Sequence, residues 1–368
     1  MADMTTSIRR GGVPASLAKR NSRRDAGRAG TVNPVLVVWM TLILAAVGAV
    51  LYVIRHSNSA AGAQEAPGPG TIIEMGVHEM AALDEAWGDR KGFIVWSSTM
   101  YGQHDLVRMD WPSGRMTHLT KNPCVDTMPK ISPDGKRIAF ARSRREWVSL
   151  RNVDEWDIWV YVFSNRSERL VAERGMGPSW SADGKAVVFH RGGREIRQVD
   201  LESGRETLLL ENREPAAWTD PGLDPQGGQL AVTILGKRPQ VALLALPAGG
   251  KTKVAAGSQP AFWPDGDGLV LVAAGGRMNN RICRTDRNGR RLETLIDMPG
   301  YWSHEFFPRV SNDGRLLVFG AAREGHEHDT ADYEIFLWPV GEPEECAARV
   351  SFHTGNDQWP DVWLKPTR

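Results

Sequence analysis

The chain ends on "DQWPDVWLKPTR", residues 357–368, which reads as the first strand of a structural unit that is never completed. Working back from it, a proline followed two residues later by a large apolar residue recurs through the C-terminal two thirds. The series is Pro129/Ile131, Pro178/Trp180, Pro221/Leu223, Pro260/Phe262, Pro308/Val310 and Pro360/Val362, with the prolines 49, 43, 39, 48 and 52 residues apart. The first five are followed by a turn ("SPDG" at 132, "SADG" at 181, "DPQG" at 224, "WPDG" at 263, "SNDG" at 311) and then by a β-rich run such as "KRIAFAR" or "RLLVFGA". Asp and Gly accept the backbone angles of a tight turn, so each pair reads as a hairpin. A third strand, a second turn (Asn165, Gly204, Gly249, Gly289, Gly341) and a fourth strand complete the unit. Four strands in about 45 residues is the signature of a propeller blade.

The unfinished tail then has a place. "GFIVWSS" at 92–98 and "HDLVRMDWPSGRMTHLT" at 104–120 supply the last three strands of a blade that lacks its first. Pairing of about 359–364 with that blade closes a six-bladed ring and leaves no open sheet edge. The expected fold class is all-β, a six-bladed β-propeller over 92–368, preceded by a single N-terminal transmembrane helix.

The wording "PKISPDGKRIAFARS" followed by "DIW" resembles the TolB-like propeller repeat over about residues 92–364. The resemblance implies the fold and leaves function open, since such propellers host many roles. That family includes a bacterial periplasmic protein with an extra α/β domain ahead of its propeller and enzymes with an α/β-hydrolase domain behind it. Here neither is legible, and no G-x-S-x-G nucleophile elbow occurs.

Ahead of the wheel, "VLVVWMTLILAAVGAVLYVI" (35–54) holds twenty residues without a charge. At about 1.5 Å per residue it spans a hydrocarbon core of about 30 Å. Arg9, Arg10, Lys19, Arg20, Arg23, Arg24 and Arg28 precede it against Asp3 and Asp25, so the N-terminus is expected in the cytoplasm and the wheel outside it. The expected layout is a basic arm (1–33), a signal anchor (34–54), a flexible linker (55–71) with two Pro-Gly steps, a lead-in segment (72–91) readable as helix or strand, and the propeller. A cleaved signal peptide, with "AGA" at 61–63 as its cleavage site, is the alternative. The expected location is the bacterial inner membrane, with a periplasmic wheel.

Among 368 residues the formal net charge is +1, too balanced for a protein that works by neutralising phosphates, so no nucleic acid is expected. No Walker loop is present and no nucleotide is expected. Cys124, Cys283 and Cys346 contain no C-x-x-C pair and read as structural fillers.

The loops between second and third strands and the links between blades emerge on one face. This places His104, Asp126, Asp220, His304, Glu305, His326, His328, Asp329, Asp332, His353 and Asp357 toward one rim, with Tyr101, Trp218, Trp302 and Trp359 around them. The partner or ligand face is expected at Tyr101, His104, Asp126, Trp218, Trp302, His304, Glu305 and Trp359. Imidazole with carboxylate suits Mn, Fe, Ni or Zn, so His304, His326, His328 and Asp329 are read as a divalent-metal set. Oligogalacturonate lyases, whose repeats look similar, bind a metal in this general way. The long insertion "RSRREWVSLRNVDEW" (142–156) is arginine-rich and would meet an anionic surface. The expected function is a non-enzymatic interaction or scaffold module, a subunit or accessory of a cell-envelope membrane complex with a protein partner. The alternative is a metal-dependent lyase or hydrolase, or a binding protein, for an anionic polysaccharide. No catalytic residue is assigned.

Overall fold

The computed structural model describes residues 73–247, 249–277, 280–299, 302, 304–323 and 327–366. The run 35–54 and the arm and linker around it lie outside the described residues, as does His326. Among the described residues no helix is long and apolar enough to cross a membrane.

Six four-stranded antiparallel sheets make up the described residues of the wheel. The inner strands are Asp126–Ile131, Met176–Trp180, Trp218–Leu223, Ser258–Phe262, His304–Val310 and Asp357–Leu364. Each touches the next in turn, and the last touches the first, so the ring is closed. Closure follows the expected pairing: Asp357–Leu364 runs antiparallel to Gly92–Ser98, with Gly92 opposite Leu364 and Ser98 opposite Asp357. Blade 1 is therefore built from both ends of the wheel's sequence.

The recurring Asp-Gly signal works as read. In "SPDG" the Asp134 carboxylate accepts the Ser132 hydroxyl at 2.5 Å and the Lys136 N–H at 3.1 Å, and Gly135 sits at φ +68°. Asp183 with Gly184 and Asp313 with Gly314 repeat the device. Side-chain capping of this kind lets a tight reversal form locally, before any blade packs.

The lead-in resolves as a helix, Val77–Trp87. Leu83, Ala86 and Trp87 lie on one side of it at helical spacing and are buried against Ile94, Trp96 and Leu337. Trp87 stacks on Trp111 at 5.5 Å and 7°. The outermost strand of blade 6 is only Ala348–Arg349, and the helix packs where that strand falls short. Gly88 ends it at φ +58°, its N–H donating to the Asp84 carbonyl at 2.8 Å.

The prolines of the repeat do more than mark inner strands. The residue before each proline adopts a left-handed backbone: Met128, Gly177, Asp220, Gln259, Phe307 and Trp359 lie between φ +51° and +64°. In every blade the ladder shifts register across that step. Proline has no N–H to give the ladder, so it is tolerated inside a strand at a bulge. Six bulges at one level place the pre-proline residues around the axis.

Candidate functional site

The axial cavity is the geometric outcome of those bulges. It is lined by the pre-proline residues, by the prolines of blades 3 to 6, and by Lys130 and Arg309, each one position past its proline. Its volume is about 30 Å³. Above it the channel widens to a funnel of about 460 Å³ whose wall includes Leu150, Val153, Met176, Leu235, Phe306 and Trp359, with Asp220, Thr233, Gln259 and His190 among them. Trp359 borders both spaces and packs against Phe307, ring centroids 4.3 Å apart and tilted by 41°. His190 is buried and burial pushes it down to about 4, so it presents a neutral ring to the funnel.

One side of the funnel is built by the two long loops the sequence singled out. The blade 2 insertion folds back toward the blade 6 loop, where the Ser149 hydroxyl and the Leu150 N–H donate to the Asp329 carboxylate at 2.5 and 3.1 Å. Arg151 pairs with Glu327 in the same clasp. Trp147, Val148, Leu150 and Val153 pack beneath it with Phe306, Tyr333 and Trp359. Every arginine of the segment 142–151 has a carboxylate of its own. Arg142 holds Asp126 bidentately at 2.6 and 2.8 Å and reaches Glu168, Arg144 faces Asp157, and Arg145 faces Glu155.

The residues expected on the partner face separate into two groups. Asp126 and Glu305 are fully buried and Trp218 nearly so. Asp126 takes the Arg142 fork and the Asn122 amide, and Glu305 accepts the Met298 N–H at 2.6 Å. His104 bonds Ser97 at 2.9 Å, and burial drives it down to about 4. These are interior groups that tie links to strands. Tyr101 is 43% exposed and stacks on His118 at 3.7 Å. Trp302 is half-buried between the guanidinium groups of Arg323 and Arg349, edge-on to Phe336. Trp359 alone of the set reaches the axis.

Of the expected metal set, His304 is half-buried at the start of its inner strand and Asp329 is held by Ser149 and Leu150. The His328 ring packs edge-on to Phe306 and Phe307 at 4.7 and 5.0 Å. Among the described residues no group of three or more His, Cys, Asp or Glu side chains is placed to hold a metal ion.

Lys130, Arg309 and Asp361 escaped the sequence reading, which treated the proline as the signal and passed over its neighbours. Reading down the column after each proline gives Lys, Ser, Gly, Ala, Arg and Asp, where an inner strand would otherwise show small or apolar residues.

The class defined by this geometry is a closed six-bladed propeller with an axial funnel on its loop-rich face. No family model matches the chain. Its curated relatives include the Tol-Pal system protein TolB of two Francisella tularensis subspecies. The tularensis protein is 24% identical over 245 residues, 63% of this chain and 52% of its own length. The mediasiatica protein is also 24% identical, over 246 residues. The chain thus spans about half the length of the curated relatives it matches. Among solved structures, TolB from Acinetobacter baumannii aligns with TM-score 0.55 at 18% identity, covering 74% of this chain and 66% of that one. A putative TolB from Agrobacterium tumefaciens aligns with TM-score 0.54 at 15% identity, covering 76% and 99%. The wheel is a TolB-like β-propeller.

Proposed function

We propose that this chain is a membrane-anchored, extracytoplasmic propeller that works as a non-enzymatic protein-interaction module, a subunit or accessory of a cell-envelope complex. The funnel carries this reading: a concave mouth of about 460 Å³ with apolar walls and a few polar groups near the axis, the usual make-up of a pocket for an inserted segment. The loops that build its wall are clasped to each other by Asp329 and Glu327, so the mouth is rigid before a partner arrives, which lowers the ordering cost of binding. The uncharged run 35–54 and the cations before it support an anchor with the wheel outside the cytoplasm. The relatives named for the Tol-Pal system support an envelope partner.

The test is photo-crosslinking in intact cells from the full-length chain, with the reactive residue at Val153 or Leu235 in the funnel, or at Leu208 on the outer strand of blade 3. One discrete protein adduct from the funnel positions and none from Leu208 is the expected result. Equal labelling from both locations, or none from the funnel, overturns it.

A further inference from the structure

We propose that the axis of the wheel is a carboxylate-binding site, in which Lys130 and Arg309 receive an anionic head group entering through the funnel. For the source of that group, an acidic side chain of the inserted partner segment, the inference rests on the function proposed above.

The argument starts from the bulges. All six left-handed pre-proline residues line the channel, and of the residues that follow the prolines Lys130 and Arg309 line it too. Blades 2 and 6, on either side of blade 1, put a cation there. Among the described residues neither cation forms a hydrogen bond or an ion pair. The nearest aromatic partner of Lys130 is Trp359, whose ring centroid lies 5.8 Å from Nζ.

Two carboxylates act on these cations, Asp220 from the cavity wall and Asp361 from outside it, and both are engaged. The Asp361 oxygens accept the Ile131 N–H at 2.7 Å and the Val362 N–H at 3.1 Å. Asp220 accepts the Thr219 hydroxyl at 3.2 Å and that of Thr233. They soften the positive field without reaching the cations. The other charged groups near the mouth are spent as well: Arg151 on Glu327, and Asp329 on the clasp.

Such an arrangement is costly as it stands. Both side chains are half-buried, so each cation gives up part of its hydration without gaining a partner. Burial accordingly pushes Lys130 well below its ordinary value, with the Arg309 charge adding to it, and burial lowers Arg309 too. An anion seated between them converts that cost into two charge-assisted hydrogen bonds. Size then narrows the ligand. About 30 Å³ accommodates a group of two or three heavy atoms, given about 10–15 Å³ for one water. A carboxylate fits and a sugar ring does not. A phosphate dianion would also bring a second negative charge against Asp220 in the cavity wall.

The experiment uses crystals of the full-length chain soaked in bromide, together with acetate titration in solution. Anomalous bromide density within about 4 Å of Lys130 Nζ and the Arg309 guanidinium is expected. Lys130→Gln and Arg309→Gln should each remove it, whereas the exposed Arg115→Gln should leave it in place. Should either axial variant fail to fold, the wild-type bromide result decides the matter. Funnel crosslinking separates the sources. A loss of about tenfold or more in adduct for Lys130→Gln assigns the site to the partner's acidic side chain. An unchanged adduct with lost bromide assigns it to a free small carboxylate such as acetate. An empty axis in bromide overturns the proposal. Bromide at the axis with no funnel adduct would leave this site standing and defeat only the interaction-module reading.

Discussion

Two places in this wheel draw charge in from the outer surface, and they treat it in opposite ways. At the seam between blades 6 and 1, the charged side chains are bonded to one another, although Asp357 Oδ2 and Asp332 Oδ1 are buried without a hydrogen bond. Asp357 accepts the Trp96 indole N–H at 2.9 Å and faces His353 Nε2 at 2.8 Å, while Gly355 N–H donates to His353 Nδ1, which fixes the ring proton on Nε2. Glu334 takes the Ser351 hydroxyl at 2.5 Å and the Arg349 guanidinium. At the axis, Lys130 and Arg309 have no such partners. A satisfied buried network specifies one arrangement and holds it; an unsatisfied one is worth keeping when something arrives to complete it. The seam is structural by this criterion, and the axis is a receptor.

The contrast can be broken most severely at the seam. Removing residues 357–368 deletes the inner strand of blade 1 and bares the Gly92–Ser98 edge. The unfolding midpoint should collapse, with a loss above about 4 kcal/mol, or the chain should aggregate through the open edge. Chemical denaturation of the truncated chain checks this, and a stable soluble wheel would contradict it. Next in size is Arg142→Met, which strands Asp126 in the interior; about 3 kcal/mol should be lost, and Asp126→Ala in the same chain should recover part of it. Asp357→Ala, leaving the Trp96 N–H and His353 without an acceptor, should cost about 2–3 kcal/mol, whereas Asp357→Asn should cost less because its oxygen still accepts from Trp96.

A smaller effect is a pH slope. Burial lifts Glu305 from 4.5 to about 8. Between those values the folded wheel binds a proton the unfolded chain has released, so stability falls as pH rises through that window. Glu334, raised to about 8, and Asp105, raised to about 7, both chiefly by burial, tilt the curve the same way. Glu305→Gln should therefore raise the melting temperature at pH 8, leave it nearly unchanged at pH 4, and flatten the slope between. A slope identical to wild type would count against the shift. Smallest is the axis itself. Lys130→Met loses no bonded partner, so its stability should stay within about 0.5 kcal/mol of wild type, or exceed it. A loss comparable to that of Asp357→Ala would erase the contrast.

Much of the architecture was legible because it is encoded locally. The Asp-Gly turns, the alternating strands and the proline spacing each act over a few residues, and six copies reinforce one another. The orphan tail needed only the count of strands to find its place. The placement of the two long loops on one face also followed, since strand direction dictates where each connection emerges. Local pattern does not report what becomes of a polar side chain once blades pack. Asp126, Glu305 and His104 looked like a rim because they sit in links, yet adjoining blades close over those links. The arginines of 142–151 looked like an open basic surface because their partners, Glu168 and Glu327, lie in other segments.

The sequence by itself determined the number of blades and their hairpins, since both depend on short-range backbone chemistry repeated at a steady period, and the strand count then left closure by the C-terminal strand as the remaining pairing. Tertiary structure alone decided which charges are answered and which are left facing the channel. That outcome depends on six bulges meeting at one axis and on distances between residues remote in the chain, for which no local pattern carries a signal.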